Sequence, residues 1–268
     1  MKYALLAPTF FFATLFVFWP LGELFVLSMM KTDFIITSFV GLQNYVSILT
    51  SAPFLRSVYN SLWYILFVVA MIVGGATAFS LAVMTLSKAW HDVSRVLIYL
   101  PMLSAGIVIA QVWRWIFHVD GPVNWLLGTQ VNFFAQGFTS IPAISLIVAS
   151  SGIGGTAIVI MASVLGISKE LYDAATIDGA SWFQIKLHIV LPLITPTVSV
   201  MALVAAIAAP QIFETIYALA PAEHSATVGW HIYREAYQMG RHGTAAAMSV
   251  LLLFSMLGLS WAKSCVKS

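Results

Sequence analysis

The amino-acid sequence predicts an all-α integral membrane protein with six transmembrane helices. Three observations support this prediction. Hydrophobic residues make up 60% of the chain and charged residues only 8%, whereas a typical soluble domain carries charges on about 25% of its positions. In addition, six stretches reach the length of about 20 mainly apolar residues that a membrane-spanning helix needs. We therefore expect most of the chain to face lipid or other helices.

Turn-forming or charged segments separate the six stretches, and together they form one predicted domain over residues 1–268. The first apolar stretch continues well beyond the roughly 7–15 apolar residues of a signal peptide, so we interpret it as a span. Small residues such as Gly75 in the second stretch and Gly154 in the fourth are expected to let helices approach closely. The predicted spans lie near residues 4–30, 58–86, 95–117, 142–165, 193–219 and 244–262.

The distribution of Lys and Arg predicts the orientation of the spans. Six spans place both termini on one side of the membrane, and cytoplasmic segments are enriched in basic residues. With both termini in the cytoplasm, the inner segments hold the larger share of the 12 basic residues, namely Lys2, Lys88, Arg95, Lys169, Lys186, Lys263 and Lys267. The outer segments hold Lys31, Arg56, Arg114, Arg234 and Arg241. The sequence therefore predicts cytoplasmic termini and a cytoplasmic segment at residues 166–192.

This cytoplasmic segment has the signals of a helix, a sharp turn and a second helix. Ser168 is a good N-cap, and Glu170 places a negative charge in the first turn, where the helix dipole favours it. Gly179 suits the left-handed position that commonly ends a helix. Ser181 and Gln184 have the spacing of a capping box for the second helix.

Two further features of the segment are predicted from spacing. Residues at three- and four-residue intervals share a helix face, so one face of the first helix is expected to present Leu171, Ala174, Ala175 and Asp178. In the second helix, Pro192 and Pro196 are expected to interrupt the helix where the fifth span begins. A rigid bend of this kind is suited to transmitting a displacement of the segment to the membrane helices.

The run DAATIDGASWFQIKLHIVLP resembles the EAA loop of binding-protein-dependent ABC importer permeases. The family pattern is an acidic residue, two alanines, a glycine four residues later and, after nine more residues, Ile-x-Leu-Pro. In this chain those positions are Asp173, Ala174, Ala175, Gly179, Ile189, Leu191 and Pro192. The chain departs from the pattern in having Asp173 for the usual glutamate and Lys186 where an aromatic residue is usual.

Other segments are similar to the subgroup of these permeases that imports sugars and glycerol phosphates. FVGLQNYVSIL at residues 39–49 resembles its first external loop, residues 95–117 resemble its third span, and IYREAY at residues 232–237 resembles the entry to its last span. The resemblance implies the six-helix type I importer permease fold. It also implies transport of a carbohydrate or polyol phosphate across the inner membrane.

In this family the EAA loop docks on a cytoplasmic ATPase subunit, so the resemblance implies a docking role for one set of residues. These are Leu171, Tyr172, Asp173, Ala174, Ala175, Asp178, Gly179, Ala180, Ile189, Leu191 and Pro192. The sequence contains no G-x-x-x-x-G-K-[S/T] phosphate loop, so ATP and Mg²⁺ are expected in the partner. The implied assembly is this chain, a related second permease, two ATP-binding cassette subunits and an external solute-binding protein.

Polar and aromatic side chains in the spans are candidates for the solute pathway. Ionisable groups inside a membrane are costly, and they usually face a cavity or a neighbouring helix. The fifth predicted span carries Glu214 among hydrogen-bonding groups and rings that suit a sugar, although a carboxylate bonded to a neighbouring helix is the alternative interpretation. The candidates are Gln111, Gln211, Phe213, Glu214 and Tyr217.

Several other functions have little support in the sequence. The net charge of +2 is too small to indicate a nucleic-acid partner. His224, His231 and His242 lack the spacing of a metal site, and no nucleophile–base pair indicates an enzyme. An ion-coupled secondary transporter would need ionisable relays in several spans. A non-transport membrane scaffold is the other alternative, and it would leave the helix–glycine–helix segment without a role.

Overall fold

A computed structural model of the chain describes residues 7–33, 36–84, 86, 88–219 and 223–266. The predictions at Lys2, at Lys267 and at residues 4–6 and 85 of the spans lie outside the described residues. The described elements, in chain order, are α1 (Ala7–Ser28), β1 (Met30–Asp33), β2 (Ile36–Phe39), α2 (Gln43–Leu49), α3 (Ala52–Val83), α4 (Lys88–Tyr99), α5 (Gly106–Ile116), α6 (Pro122–Leu127), α7 (Gly137–Leu165), α8 (Lys169–Ile177), α9 (Trp182–Gln211), α10 (Glu214–Leu219), α11 (Val228–Tyr233) and α12 (His242–Val266).

The predicted all-α architecture is confirmed, with one small exception. The two short strands pair antiparallel, with Met30 opposite Phe39 and Thr32 opposite Thr37. Within the described residues, five helices are long and apolar enough to cross a membrane, namely α1, α3, α7, α9 and α12. A sixth span results if α4 and α5 are counted as one broken element.

The third predicted span, near residues 95–117, is not one straight helix. A 3₁₀ turn at Leu100–Leu103 follows α4, and the two helical arms then meet at 98°. Ser104 and Ala105 adopt extended backbone conformations between the arms. Pro101 lies in the 3₁₀ turn and lacks the N–H that a continuing helix would use. The apolar run therefore contains a bend that hydropathy does not reveal.

The fifth predicted span, near residues 193–219, also differs from the structure at both ends. Its helix α9 begins at Trp182 and ends at Gln211, so it starts within the segment at residues 166–192, which the prediction places outside the spans. Ile212 leaves the helical conformation, with a φ of −59° and a ψ of 114°, after the 3₁₀ turn Ala209–Gln211. The separate short helix α10 then begins at Glu214.

The chain divides into two compact units, one of residues 1–59 and 226–268 and the other of residues 60–225. In the first unit, a buried cluster holds the helices together, and its members are Ile48, Phe54, Val228, Ala247 and Met248. Asn44 fixes the end of α1 by donating to the carbonyls of Ser28 at 2.8 Å and Met30 at 2.9 Å. The prediction of a single domain over residues 1–268 stays a prediction.

In the second unit, a buried cluster joins α3, α7 and α9. Its members are Ala76, Ala157, Ile160, Val164, Val190 and Ile194. The expected close approach at Gly154 is confirmed, because a Cβ there would collide with the carbonyl oxygen of Ile98. Tyr172 of α8 packs against the same cluster, which positions the segment at residues 166–192 relative to these helices.

Candidate functional site

The first helix of the segment at residues 166–192 is capped at both ends by the residues that the sequence indicates. Ser168 Oγ accepts a hydrogen bond from the Glu170 N–H at 3.3 Å and so caps α8. After α8, Gly179 has a φ of +79°. The N–H of Ala180 donates to the Ala175 carbonyl at 2.9 Å, and the N–H of Gly179 donates to the Thr176 carbonyl at 3.1 Å. These two bonds form a Schellman motif, which ends the helix on the left-handed residue.

The second helix begins with the predicted capping box. Ser181 Oγ accepts from the Gln184 N–H at 3.4 Å, and Gln184 Oε1 accepts from the Ser181 N–H at 2.7 Å. Both bonds satisfy N–H groups that have no partner within the helix. The predicted helix, glycine turn and helix are therefore confirmed as local structure.

The predicted interruption at Pro192 and Pro196 is wrong. Both prolines lie inside α9, which continues from Trp182 to Gln211. A π-helical turn, Lys186–Val190, directly precedes Pro192, and the Leu191 N–H donates to the Lys186 carbonyl five residues back. A wider turn of this kind changes the hydrogen-bond register next to the residue that lacks an N–H. The segment at residues 166–192 is consequently continuous with a predicted membrane helix.

The exposed face of α8 differs from the predicted face at one position. Leu171, Ala174 and Asp178 are exposed as expected, but Ala175 is only 8% exposed. Ala175 lies three residues after Tyr172, which packs against the buried cluster of the second unit, so these two residues share the inner face. Burial raises the pKa of the Tyr172 phenol above its ordinary value.

The tip of the segment exposes large apolar side chains that the sequence interpretation did not select. Ile177 is 86% exposed, Phe183 67% and Trp182 49%. An exposed apolar patch with a polar rim is typical of a protein interaction site. A usable signal was present in the sequence, because Ile177, Trp182 and Phe183 flank a turn residue where polar side chains are usual.

The remaining residues of the motif lie around this tip or deeper in the fold. Asp173 and Gly179 are exposed and Ala180 is half-buried. Ile189 and Leu191 are half-buried, and Leu191 packs against the buried cluster that includes Val190. We call the exposed set Leu171, Asp173, Ala174, Ile177, Asp178, Gly179, Trp182 and Phe183 the tip surface.

The candidate solute-pathway residues are only partly brought together. Helices α5 and α10 pack against each other, and Gln111 Nε2 donates to the Ala218 carbonyl at 3.3 Å. On the same contact, Glu214 Oε2 lies 3.2 Å from the position that a Cβ on Gly106 would take. Gln111 and Glu214 are both exposed. The pair therefore presents an amide and a carboxylate at one helix–helix junction.

The other three candidates have separate surroundings. Gln211 Nε2 donates to the Ile207 carbonyl of its own helix at 2.9 Å. Phe213 is half-buried in the connection between α9 and α10, and Tyr217 is 50% exposed. Glu214 stands in the first turn of α10, where the helix dipole favours its negative charge. It therefore lies after a break in the helix rather than within the fifth span.

Comparisons with known proteins give a consistent result. Residues 72–266 match the family described as binding-protein-dependent transport system inner membrane component. The chain is 24% identical to the arabinooligosaccharides transport system permease protein AraP of Halalkalibacterium halodurans, over 97% of this chain and 85% of that protein. It is 25% identical to the trehalose/maltose transport system permease protein MalF of Thermococcus litoralis, over 97% of this chain and 91% of that protein.

A solved structure shares the fold. A chain of a bacterial ABC transporter involved in the import of the acidic polysaccharide alginate superposes with a TM-score of 0.81 at 24% identity. The match covers 100% of this chain and 96% of that chain. The predicted type I importer permease architecture is thereby confirmed.

Proposed function

We propose that this chain forms half of the translocation pathway of a carbohydrate importer, because it belongs to the family of binding-protein-dependent transport system inner membrane components. The chain is a multi-pass ABC importer permease of the inner membrane, and the ATPase activity of such importers lies in a separate subunit. The other half of the pathway would come from a related second permease. Both termini would lie in the cytoplasm, by the distribution of Lys and Arg.

The tip surface is the proposed docking site for the ATPase. The observation that carries this assignment is a capped helix–glycine–helix unit whose tip exposes Ile177 and Phe183. Two ATP-binding cassette subunits, one for each permease, would bind ATP and Mg²⁺ and supply the energy. Because α9 runs without interruption from the tip to Gln211, a displacement of the tip would be carried along a membrane helix.

The carbohydrate assignment rests on the relatives and on the chemistry of the pathway candidates. AraP and MalF are permeases of oligosaccharide and disaccharide systems by their names. The amide of Gln111, the carboxylate of Glu214 and the ring of Tyr217 would supply hydrogen bonds and a stacking surface for sugar rings. A polyol phosphate is the second candidate, and an external solute-binding protein would deliver either solute.

The docking assignment is tested by Gly179→Asp. An aspartate there adds a side chain and a charge to the centre of the tip surface, so we expect uptake to be abolished while the protein remains in the membrane. The measurement is co-purification of the cognate ATPase subunits with the tagged permease, together with uptake by cells.

Gly128→Asp is the matched control. Gly128 also has a positive φ, +64°, and nothing lies within 4 Å of a Cβ there, so the substitution imposes the same kind of backbone strain outside the tip surface. It should retain the ATPase. Stoichiometric ATPase on the Gly179→Asp variant would overturn the docking assignment.

The solute class is tested by competition. Uptake would be measured in cells with radiolabelled maltose, trehalose, arabinotriose and glycerol 3-phosphate as probes, each with excess unlabelled glycine betaine or methionine as competitor. Saturable uptake of a sugar probe that neither competitor reduces supports the proposal. Saturable uptake of glycerol 3-phosphate alone would favour the polyol phosphate, and inhibition by an amino-acid competitor would contradict both.

A further inference from the structure

We propose that Lys186 is a positioning residue for ATPase coupling, which ties the cytoplasmic segment to the end of α3 so that both move together. Lys186 lies in the π turn of α9 and is 7% exposed. Its Nζ donates to the carbonyl oxygen of Leu81 and lies 2.9 Å from the ring centroid of Trp182. The inference rests on the docking function proposed above.

A buried ammonium group needs partners that offset the loss of its hydration. The Leu81 carbonyl is one partner, and the face of the Trp182 indole is the other, through a cation–π contact. Trp182 lies four residues before Lys186, on the same side of the helix. The lysine therefore connects the exposed tip surface, which includes Trp182, to an element that is 105 residues away in sequence.

The Leu81 carbonyl belongs to the last turn of α3, where helix carbonyls lack intrahelical partners. The last turn of α3 carries no basic residue of its own. A cation at this place donates to a carbonyl of the last turn and interacts favourably with the negative end of the helix dipole. Lys186 thus acts as the C-terminal cap of α3, supplied by α9.

The apolar contacts that follow Lys186 along α9 also join α9 to α3. Val190, one turn later, belongs to the buried cluster that contains Ala76 of α3. Apolar packing is non-directional and permits sliding, whereas the hydrogen bond from Lys186 fixes the register between the two elements. The hydrogen bond therefore makes a polar link between α3 and the start of α9 in the segment at residues 166–192.

The test compares Lys186→Met, which is unbranched and one atom shorter and removes the charge, with Lys186→Arg, which keeps both charge and donors. Spin labels at Leu86→Cys and Leu187→Cys, in a Cys265→Ser background, report the distance between the residues just after α3 and the first part of α9. Both labelled positions are exposed, at 46% and 45%. The sample is the complete importer in proteoliposomes, with and without MgATP.

With Lys186 present, the distance between the two spin labels should show a single population both before and after MgATP is added. With methionine, MgATP should raise the population at longer distance about tenfold, the lower range for losing a hydrogen bond from a charged donor. Arginine should restore the single distance. A merely structural defect would separate the labels equally without nucleotide, and that result would overturn the inference, as would methionine behaving like lysine.

Failure of the docking proposal has a different signature. All three Lys186 forms should retain the ATPase subunits, since the lysine is buried behind the tip surface. Loss of the ATPase from the Lys186→Met variant would contradict the positioning role. Retention of the ATPase by Gly179→Asp would instead contradict the docking assignment. The spin-label distances would then still report whether Lys186 holds α3 and α9 together within this chain.

Discussion

Ile177 offers the sharpest prediction about the proposed docking surface. Its side chain is 86% exposed, so Ile177→Ala should leave the fold unchanged while removing apolar surface from the tip. Three carbons are lost, and at about 0.8 kcal/mol for each buried methylene the cost to docking is about 2 kcal/mol. We therefore expect the ATPase to bind about 30-fold more weakly, since each 1.4 kcal/mol is about a factor of ten.

The assay is titration of purified ATPase subunits onto the permease complex in nanodiscs, read out as a dissociation constant. Leu126→Ala is the matched control, because Leu126 is 77% exposed, loses the same number of carbons and lies outside the tip surface. Equal ATPase affinity for wild type and Ile177→Ala would refute the assignment of this surface. A thermal unfolding midpoint lowered only in the Ile177 variant would refute the premise that this side chain contributes nothing to the stability of the fold.

Two more predictions follow from burial and from the solute candidates. Ala175→Leu should lower the free energy of unfolding by about 1–3 kcal/mol because it overpacks a buried position. Ala174→Leu, on the exposed face, should keep the thermal unfolding midpoint and weaken ATPase binding. Equal unfolding midpoints for the two variants would contradict this difference. Glu214→Gln should raise the KM for the sugar probe that proves to be transported by about tenfold, the range for one charged hydrogen bond. An unchanged KM would remove Glu214 from the pathway, and ATPase retention is its control.

The local structure of residues 166–192 could be predicted because its signals lie within a few residues of each other. Ser168, Gly179 and the pair Ser181 and Gln184 each satisfy backbone groups of their own turn or the adjacent one. Such bonds depend on residue type and spacing, both of which are visible in the sequence. The apolar stretches are visible for the same reason, since each reaches the length of a span without help from its neighbours.

Predictions that depended on a distant partner were less successful. The exposure of Ala175 was overestimated because the inner face of α8 is decided by packing of Tyr172 on a cluster from other helices. The continuity of α9 past Pro192 depends on a π turn, which no residue pattern in the sequence indicated. The position of Glu214 depends on a break after Gln211, at a 3₁₀ turn that contains Pro210, and a span assigned by overall length and hydropathy did not register this break.

The sequence alone determined which stretches are long and apolar enough to cross a membrane and where the helix–glycine–helix segment at residues 166–192 begins, turns and resumes. The tertiary structure decided which of its side chains face outward and what holds the unit in place. Lys186 shows the reason: a lysine in an apolar helix has no evident role until the carbonyl of Leu81 is brought to it by the fold. A buried charge is stabilised only by partners, and here the hydrogen-bond acceptor comes from another helix.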